Sequence, residues 1–180
     1  MPTLRIDKDL KDRAYFLTFT IIEWIDVFTS RKYFDSLINA LKFYQKELNI
    51  RIFGYVIMSN HIHLLAQCKD MIRFIKGFKS YTTKEIKKLL QNDNRKYLFK
   101  LLKDSKINRN RQKFQIWESK NWPELVESEG FFNQKINYIH ENPVIKGYVD
   151  KEEDWLYSSA RNYILDDHSV IKVDIEGVLD

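Results

Sequence analysis

Residues 50–67 read IRIFGYVIMSNHIHLLAQ, and this stretch decides the fold. Two strand-like runs, Ile50 to Met58 and His61 to Gln67, are separated by Ser59-Asn60. A short polar link between two such runs predicts an antiparallel hairpin. On a strand, side chains at i and i+2 share a face, roughly 6–7 Å apart. His61 and His63 therefore point the same way, and Ile62 points into the core. Two imidazoles on one rigid element can converge on a divalent cation, and a working site needs further ligands from elsewhere in the chain. The bland reading is a polar pair at the exposed edge of a strand.

Outward from the hairpin, Tyr15 to Ile22 (YFLTFTII) reads as a strand. Arg31 to Leu48 follows a Thr29-Ser30 cap and places Phe34, Leu37, Ile38, Leu41 and Tyr44 at helical spacing. Met71 to Asn92 is a basic amphipathic helix, with a break expected near Tyr81-Thr82-Thr83. A polar stretch from Asp93 to Gln112 carries a helical turn around Leu98 to Leu102 and ends in a loop, SKINRNRQ. Lys113 to Glu118 (KFQIWE) is the candidate fourth strand. Ser128 caps a helix that runs to Glu141 and ends near Asn142-Pro143, because proline disfavours helix at the residue before it. Asp154 to Ile164 forms a last short helix. This order predicts an α+β fold with a single central antiparallel sheet and packed helices.

The chain has 180 residues, 44% hydrophobic and 31% charged, with a net charge of +5. Its one cysteine, Cys68, excludes an internal disulfide. It lies an odd number of residues past His63, which faces it away from the histidines. No run approaches the roughly 20 apolar residues that cross a bilayer, and MPTLRIDKDLKDR does not read as a signal peptide, so a cytoplasmic protein is expected. Charge is uneven. Residues 69–113 hold 15 Lys or Arg against 4 Asp or Glu, and the remainder holds 15 against 21. A polyanion suits such a segment, because neutralised phosphates release counterions. Phe74, Phe78, Tyr81, Tyr97 and Phe99 are interleaved there and could stack unpaired bases or simply pack. Arg73, Lys76, Lys79, Lys84, Lys87, Lys88, Arg109 and Arg111 are the candidate DNA-binding residues, and a solvated helix face is the competing reading.

A second constellation is Asn137-Tyr138-Ile139-His140-Glu141-Asn142-Pro143-Val144. Tyr138 and Asn142 are one helical turn apart, so a phenol and a neutral amide ligand share a face. His140 lies about 200° round the helix from Tyr138 and is expected to pack or sit at the surface. Glu141 reads as helix-surface charge, Trp117 and Trp122 as packing residues, and His168 as surface.

Together the two constellations resemble the HUH-type single-tyrosine transposases, and most of all the REP-associated tyrosine transposases within the IS200-like family. His61-Ile62-His63 matches the family's His-hydrophobic-His strand, preceded by Val56-Ile57-Met58-Ser59-Asn60. Tyr138-Ile139-His140-Glu141-Asn142-Pro143-Val144 matches its Tyr-Ile-x-x-Asn-Pro-Val helix. Glu153-Asp154-Trp155 and Ser158-Ser159-Ala160-Arg161 resemble its usual ending, so the likeness covers about residues 14 to 164. Ile145-Lys146 departs from the small or basic pair common there.

The resemblance implies a ferredoxin-like palm over residues 1–165, a DNA-binding helical segment at about 69–113, and a tail, 166–180, with no assigned role. It implies a metal-dependent endonuclease and strand transferase acting on single-stranded, hairpin-bearing or repeat DNA. Tyr138 would attack the scissile phosphate to give a 5′-phosphotyrosine, with Mg²⁺ or Mn²⁺ held by His61, His63 and Asn142. A metal matters because a phenol, with a pKa of roughly 10, is a weak nucleophile at neutral pH. Monomer and homodimer are both compatible with the sequence. The rival expectations are a domesticated or inactive DNA-binding protein, or an RNA-binding module, of the same fold.

Overall fold

A computed structural model of the chain describes residues 12–105, 114–119 and 123–175. Three strands form the body of one sheet: β1 (Ala14–Thr20), β2 (Arg51–Ile57) and β3 (His61–Gln67). A two-residue strand β4 (Glu124–Leu125) completes the order β2-β3-β1-β4, with every pairing antiparallel. The expected α+β fold with a central antiparallel sheet is therefore present, and β2 and β3 form the hairpin read at 50–67.

Both faces of the sheet are covered, which is why its strands read as nearly continuous apolar runs. Helices α1 (Arg31–Glu47) and α2 (Met71–Asn92) cover one face. There Leu17, Phe19, Ile62 and Leu64 pack with Leu37, Leu41, Phe74 and Phe78. Helix α4 (Glu129–Ile145) covers the other, where Phe16, Val56 and Leu65 pack with Ile136 and Ile139. A shorter helix, α3 (Lys96–Asp104), follows α2. Helix α4 packs closely over Gly54, where a Cβ would lie 2.6 Å from Ile136 Cδ1 and that side-chain tip would have to shift. The β2–β3 register shifts between Ile52 and Gly54, a bulge that puts Phe53 and Val56 on one face despite their odd spacing.

Four details differ from the sequence reading. The expected strand at 113–118 is only an isolated bridge, Ile21 to Trp117, held by Ile22 N–H to the Ile116 carbonyl (2.9 Å) and Glu118 N–H to the Thr20 carbonyl (2.8 Å). Ile116 and Trp117 are drawn into the core, so this segment serves as a plug, and strand pairing moves to Glu124–Leu125. Helix α2 runs unbroken through Thr82, whose hydroxyl donates to the Phe78 carbonyl (2.6 Å) within the helix. Helix α4 does not stop at Asn142: Pro143 lies inside it, and Lys146 N–H to Asn142 O (3.1 Å) and Tyr148 N–H to Pro143 O (2.9 Å) close its last turn. The last helix, α5, is shorter than expected, Ala160–Leu165, with a separate 3₁₀ turn at Glu152–Asp154.

Residues 166–175, given no role from sequence, have a structural one. Ile171 and Val173 are buried, and Asp174 N–H donates to the Ile52 carbonyl (2.8 Å). With Tyr157 and Ser159, which bond the backbones of Ile57 and Tyr55, they cover the outer edge of β2, an edge that would otherwise template strand addition. Cys68 is buried among apolar side chains, and burial pushes its thiol up to about 11. No helix among the described residues is long and apolar enough to cross a membrane.

Candidate functional site

Strand alternation sends His61 and His63 to the α4 face, beside Phe16 of β1. The cross-strand register sets Thr18 opposite His63 and Thr20 opposite His61. The two imidazoles lie 4.9 Å apart between ring centroids, and His63 stacks on Phe16 at 5.3 Å. Helix α4 brings Tyr138 over them, with its ring 5.0 Å from His63 and its hydroxyl 3.4 Å from His63 Nε2. Residues 75 positions apart thus meet within one chain. Tyr138 is 44% exposed, so the hydroxyl is open to solvent as well as to the imidazole. Asn142, one turn on and buried, lies close enough to His61 to influence its ring.

The orientation of the imidazoles follows from a network around the hairpin turn. Asn60 Nδ2 donates to the Trp24 carbonyl (3.1 Å) and to Asp26 Oδ1 (2.9 Å). Its amide oxygen is therefore the atom facing His61 Nδ1, at 2.8 Å, and must accept a proton from it. That tautomer leaves the Nε2 lone pair of His61 available. For His63, Nδ1 meets the Thr18 hydroxyl at 3.0 Å, and donation to that oxygen leaves Nε2 as the lone pair facing Tyr138. A ring N–H anchored to a protein oxygen while the other nitrogen is free is the usual preparation of a metal-binding histidine.

Both imidazoles are held neutral. Burial pulls His61 down to about 4, with Asn142 opposing and the Lys146 charge assisting. Burial pulls His63 down to about 3, and the neighbouring His61 and the Lys135 ammonium add to the effect. Neutral imidazoles are what a cation requires. Among the described residues no three of His, Cys, Asp or Glu gather into a cage. The third protein group that could serve as a donor beside the imidazoles is the Asn142 amide. Two nitrogens and one neutral oxygen, with open positions for phosphate oxygens, fit a hard or borderline divalent ion such as Mg²⁺ or Mn²⁺.

Several neighbours were not singled out from sequence. Phe16 and Thr18 become visible only once the β1–β3 register is known. Asn60 reads in the sequence only as part of the hairpin link, and Asp26 carries no signal there. Lys135 had a signal: it lies three residues before Tyr138 and so shares its helix face. Its ammonium bonds both oxygens of Glu124 (2.9 and 3.0 Å) and sits 4.3 Å from the Phe16 ring centroid. His140 is a packing residue, as expected from its place on the helix. It is buried, bonded to Ser159 Oγ at 2.9 Å, and pulled by burial down to about 4. His168 is half-buried against Asn162 and Asp166.

The basic segment lies elsewhere. Because α2 packs on the opposite sheet face, its cations do not line the histidine site. Lys76, Lys79, Lys84 and Lys87 border a cleft of about 640 Å³ between α2 and residues 114–119. Lys79 turns inward and donates to the Glu118 carbonyl (2.6 Å), and burial pulls its ammonium down to about 8. Arg73 leans toward Glu47 of α1 (3.7 Å), and Lys88 pairs with Glu85 (2.7 Å). Arg109, Arg111 and Trp122 fall outside the described residues.

The three depressed histidines set a pH dependence. In the unfolded chain each takes up a proton near pH 6.5, and the folded chain resists this until about pH 4 or below. Stability is therefore full above about pH 6.5 and falls as pH drops through that window, by order of 3 kcal/mol per histidine. Urea unfolding at pH 7, 5.5 and 4.5 is expected to show a falling midpoint. His140→Gln, which keeps a partner for Ser159, should flatten the slope, and an unchanged slope refutes the assignment.

Residues 12–102 match the family model described as transposase, IS200 like. That match takes in the histidine strand and stops short of Tyr138. A curated protein of Haemophilus influenzae, named as a REP-associated tyrosine transposase, is 30% identical over 106 residues, 57% of this chain. The matched region spans 54% of that relative, about half of its length. A solved structure of a REP-associated tyrosine transposase bound to a REP hairpin has a TM-score of 0.67 and 16% identity. It covers 98% of this chain and 94% of its own, a likeness of fold. A crystal structure of a transposase from Deinococcus radiodurans gives a TM-score of 0.45 at 18% identity, covering 79% of this chain and 97% of its own.

Proposed function

This chain belongs to the IS200-like transposase family, and from that premise we propose that it cuts and rejoins single-stranded DNA through a covalent tyrosine intermediate. The observation that carries the proposal is the meeting of the Tyr138 hydroxyl with the neutral His61–His63 pair inside one protomer, 3.4 Å from His63 Nε2. Tyr138 Oη attacks the scissile phosphorus, a new O–P bond forms, and the bond to the 3′-oxygen breaks. The phenol gives up its proton and the leaving oxygen takes one up. The products are a 5′-phosphotyrosine and a free 3′-hydroxyl, and reversal with another 3′-hydroxyl reseals a strand without ATP.

His61, His63 and Asn142 would hold Mg²⁺ or Mn²⁺. When bound, the ion neutralises phosphoryl charge and orients the phosphate for in-line attack. Thr18, Asn60 and Asp26 fix the imidazoles, Phe16 supports His63, and α4 fixes the approach of the tyrosine. The hairpin named in the REP-associated neighbour makes a hairpin-bearing strand the natural substrate class to try.

The test is covalent trapping. Hairpin-bearing single strands from the gene's own flanks are labelled at either end and incubated with Mg²⁺ or with a chelator. A 5′-phosphotyrosine predicts that the 3′-labelled fragment, and not the 5′-labelled one, migrates with the protein under denaturing conditions, in the presence of metal only. Binding without any adduct favours instead a DNA-binding protein that has lost its cutting activity.

A further inference from the structure

Between the basic cleft and the histidine site stands one exposed aromatic residue that the proposed chemistry does not use. Trp24 is 61% exposed, and its ring meets His61 edge to face at 5.6 Å between centroids. Of the other exposed rings, Phe43 stacks on Tyr81, and Tyr148 leans on Trp155 with its hydroxyl 2.9 Å from Ser59 Oγ. Trp24 is also held in an unfavourable backbone. Glu23 and Trp24 both have left-handed φ, 54° and 56°, a conformation that bulky L-residues rarely adopt. Trp24 N–H donates to the Ile21 carbonyl (3.0 Å), and its own carbonyl takes the Asn60 amide proton (3.1 Å). The group that fixes the His61 tautomer therefore also holds the Trp24 backbone. Strain kept at an exposed aromatic residue beside a reactive site marks a functional constraint.

Its position suits a nucleic-acid strand that visits both basic cleft and tyrosine. Glu118 lines the cleft, its backbone N–H bonds Thr20 O (2.8 Å), and Thr20 is the register partner of His61. Glu118 Oε1 accepts from Glu23 N–H at 3.3 Å. The Glu118 carboxylate at this rim disfavours a phosphate there, whereas the indole offers an apolar face to a base. We propose that Trp24 is a stacking platform for an unpaired base of single-stranded DNA, where the strand turns from the basic cleft into the histidine–tyrosine site. This rests on the reading of the substrate as single-stranded DNA.

The test compares two 20-nucleotide strands with equal phosphate charge, oligothymidylate and an all-abasic strand, bound to the full chain in chelator at low salt. The parent is expected to prefer oligothymidylate. Trp24→Ala should weaken oligothymidylate binding about tenfold and leave the abasic strand unaffected, a size typical of one stacked base. Trp24→Phe should keep most of the preference, and Phe43→Ala, on α1, all of it. Trp24→Gly accepts the left-handed backbone, so its melting temperature should rise by about 2–4 °C while the preference is lost, a pairing that a purely structural residue would not give. A base preference that survives in folded Trp24→Ala or Trp24→Gly protein overturns the proposal alone. Failure of the parent to bind either strand overturns it together with the DNA reading. Loss of trapping with the base preference intact overturns only the nuclease reading.

Discussion

Tyr138→Phe is expected to form no covalent adduct with a hairpin-bearing strand while binding that strand about as well as the parent. The substitution removes one oxygen and leaves the ring, which touches His63 and Phe16 edge to face. Packing is therefore preserved, and only the atom that would bond phosphorus is gone. The loss should be at least about a thousandfold, because the covalent step needs that oxygen. Tyr148 is the nearest chemical rival, with an exposed ring and a hydroxyl on Ser59. Tyr148→Phe should trap the strand normally. An adduct that persists in Tyr138→Phe and disappears in Tyr148→Phe would move the nucleophile to the other tyrosine.

His63→Ala and His61→Ala are expected to lower metal-dependent cleavage by at least about a hundredfold and to abolish Mn²⁺ binding by calorimetry. Each substitution deletes one of two imidazole donors from a site whose remaining protein donor is an amide. Asn60→Ala leaves both donors in place but frees the His61 ring, and a loss of roughly 10–100-fold is expected of such a supporting group. That graded result separates a metal site from a packing role. Were the histidines merely core residues, Asn60→Ala would alter the melting temperature without changing Mn²⁺ affinity. Since His63 is buried on Phe16, His63→Gln provides a smaller perturbation should the alanine variant unfold.

The sequence made much of the local structure legible. The hairpin at 50–67, the shared face of His61 and His63, the apolar stripe of α1 and the one-turn spacing of Tyr138 and Asn142 all depend on neighbours within a few positions. Backbone periodicity imposes those relations whatever the rest of the chain does. The same local logic misread the end of α4. Proline removes one N–H, a loss that can be offset, and here the turn beyond Pro143 is closed by the N–H groups of Lys146 and Tyr148. It also placed a fourth strand at 113–118, since Ile116 and Trp117 have strand-like character that the core uses as a plug.

What the amino-acid order alone determined is which groups are available: two imidazoles on one strand face, a phenol and an amide on one helix face, and a dense basic segment. Only tertiary structure decided how they are combined. The β1–β3 register set Thr18 against His63, and the packing of α4 over Gly54 brought the phenol to the imidazoles. The placement of α2 on the far side put the lysines behind the sheet. The physical reason is one of range. Helix and strand periods are fixed by bonds between close neighbours, whereas the meeting of residues 75 positions apart is set by how whole faces bury their apolar area.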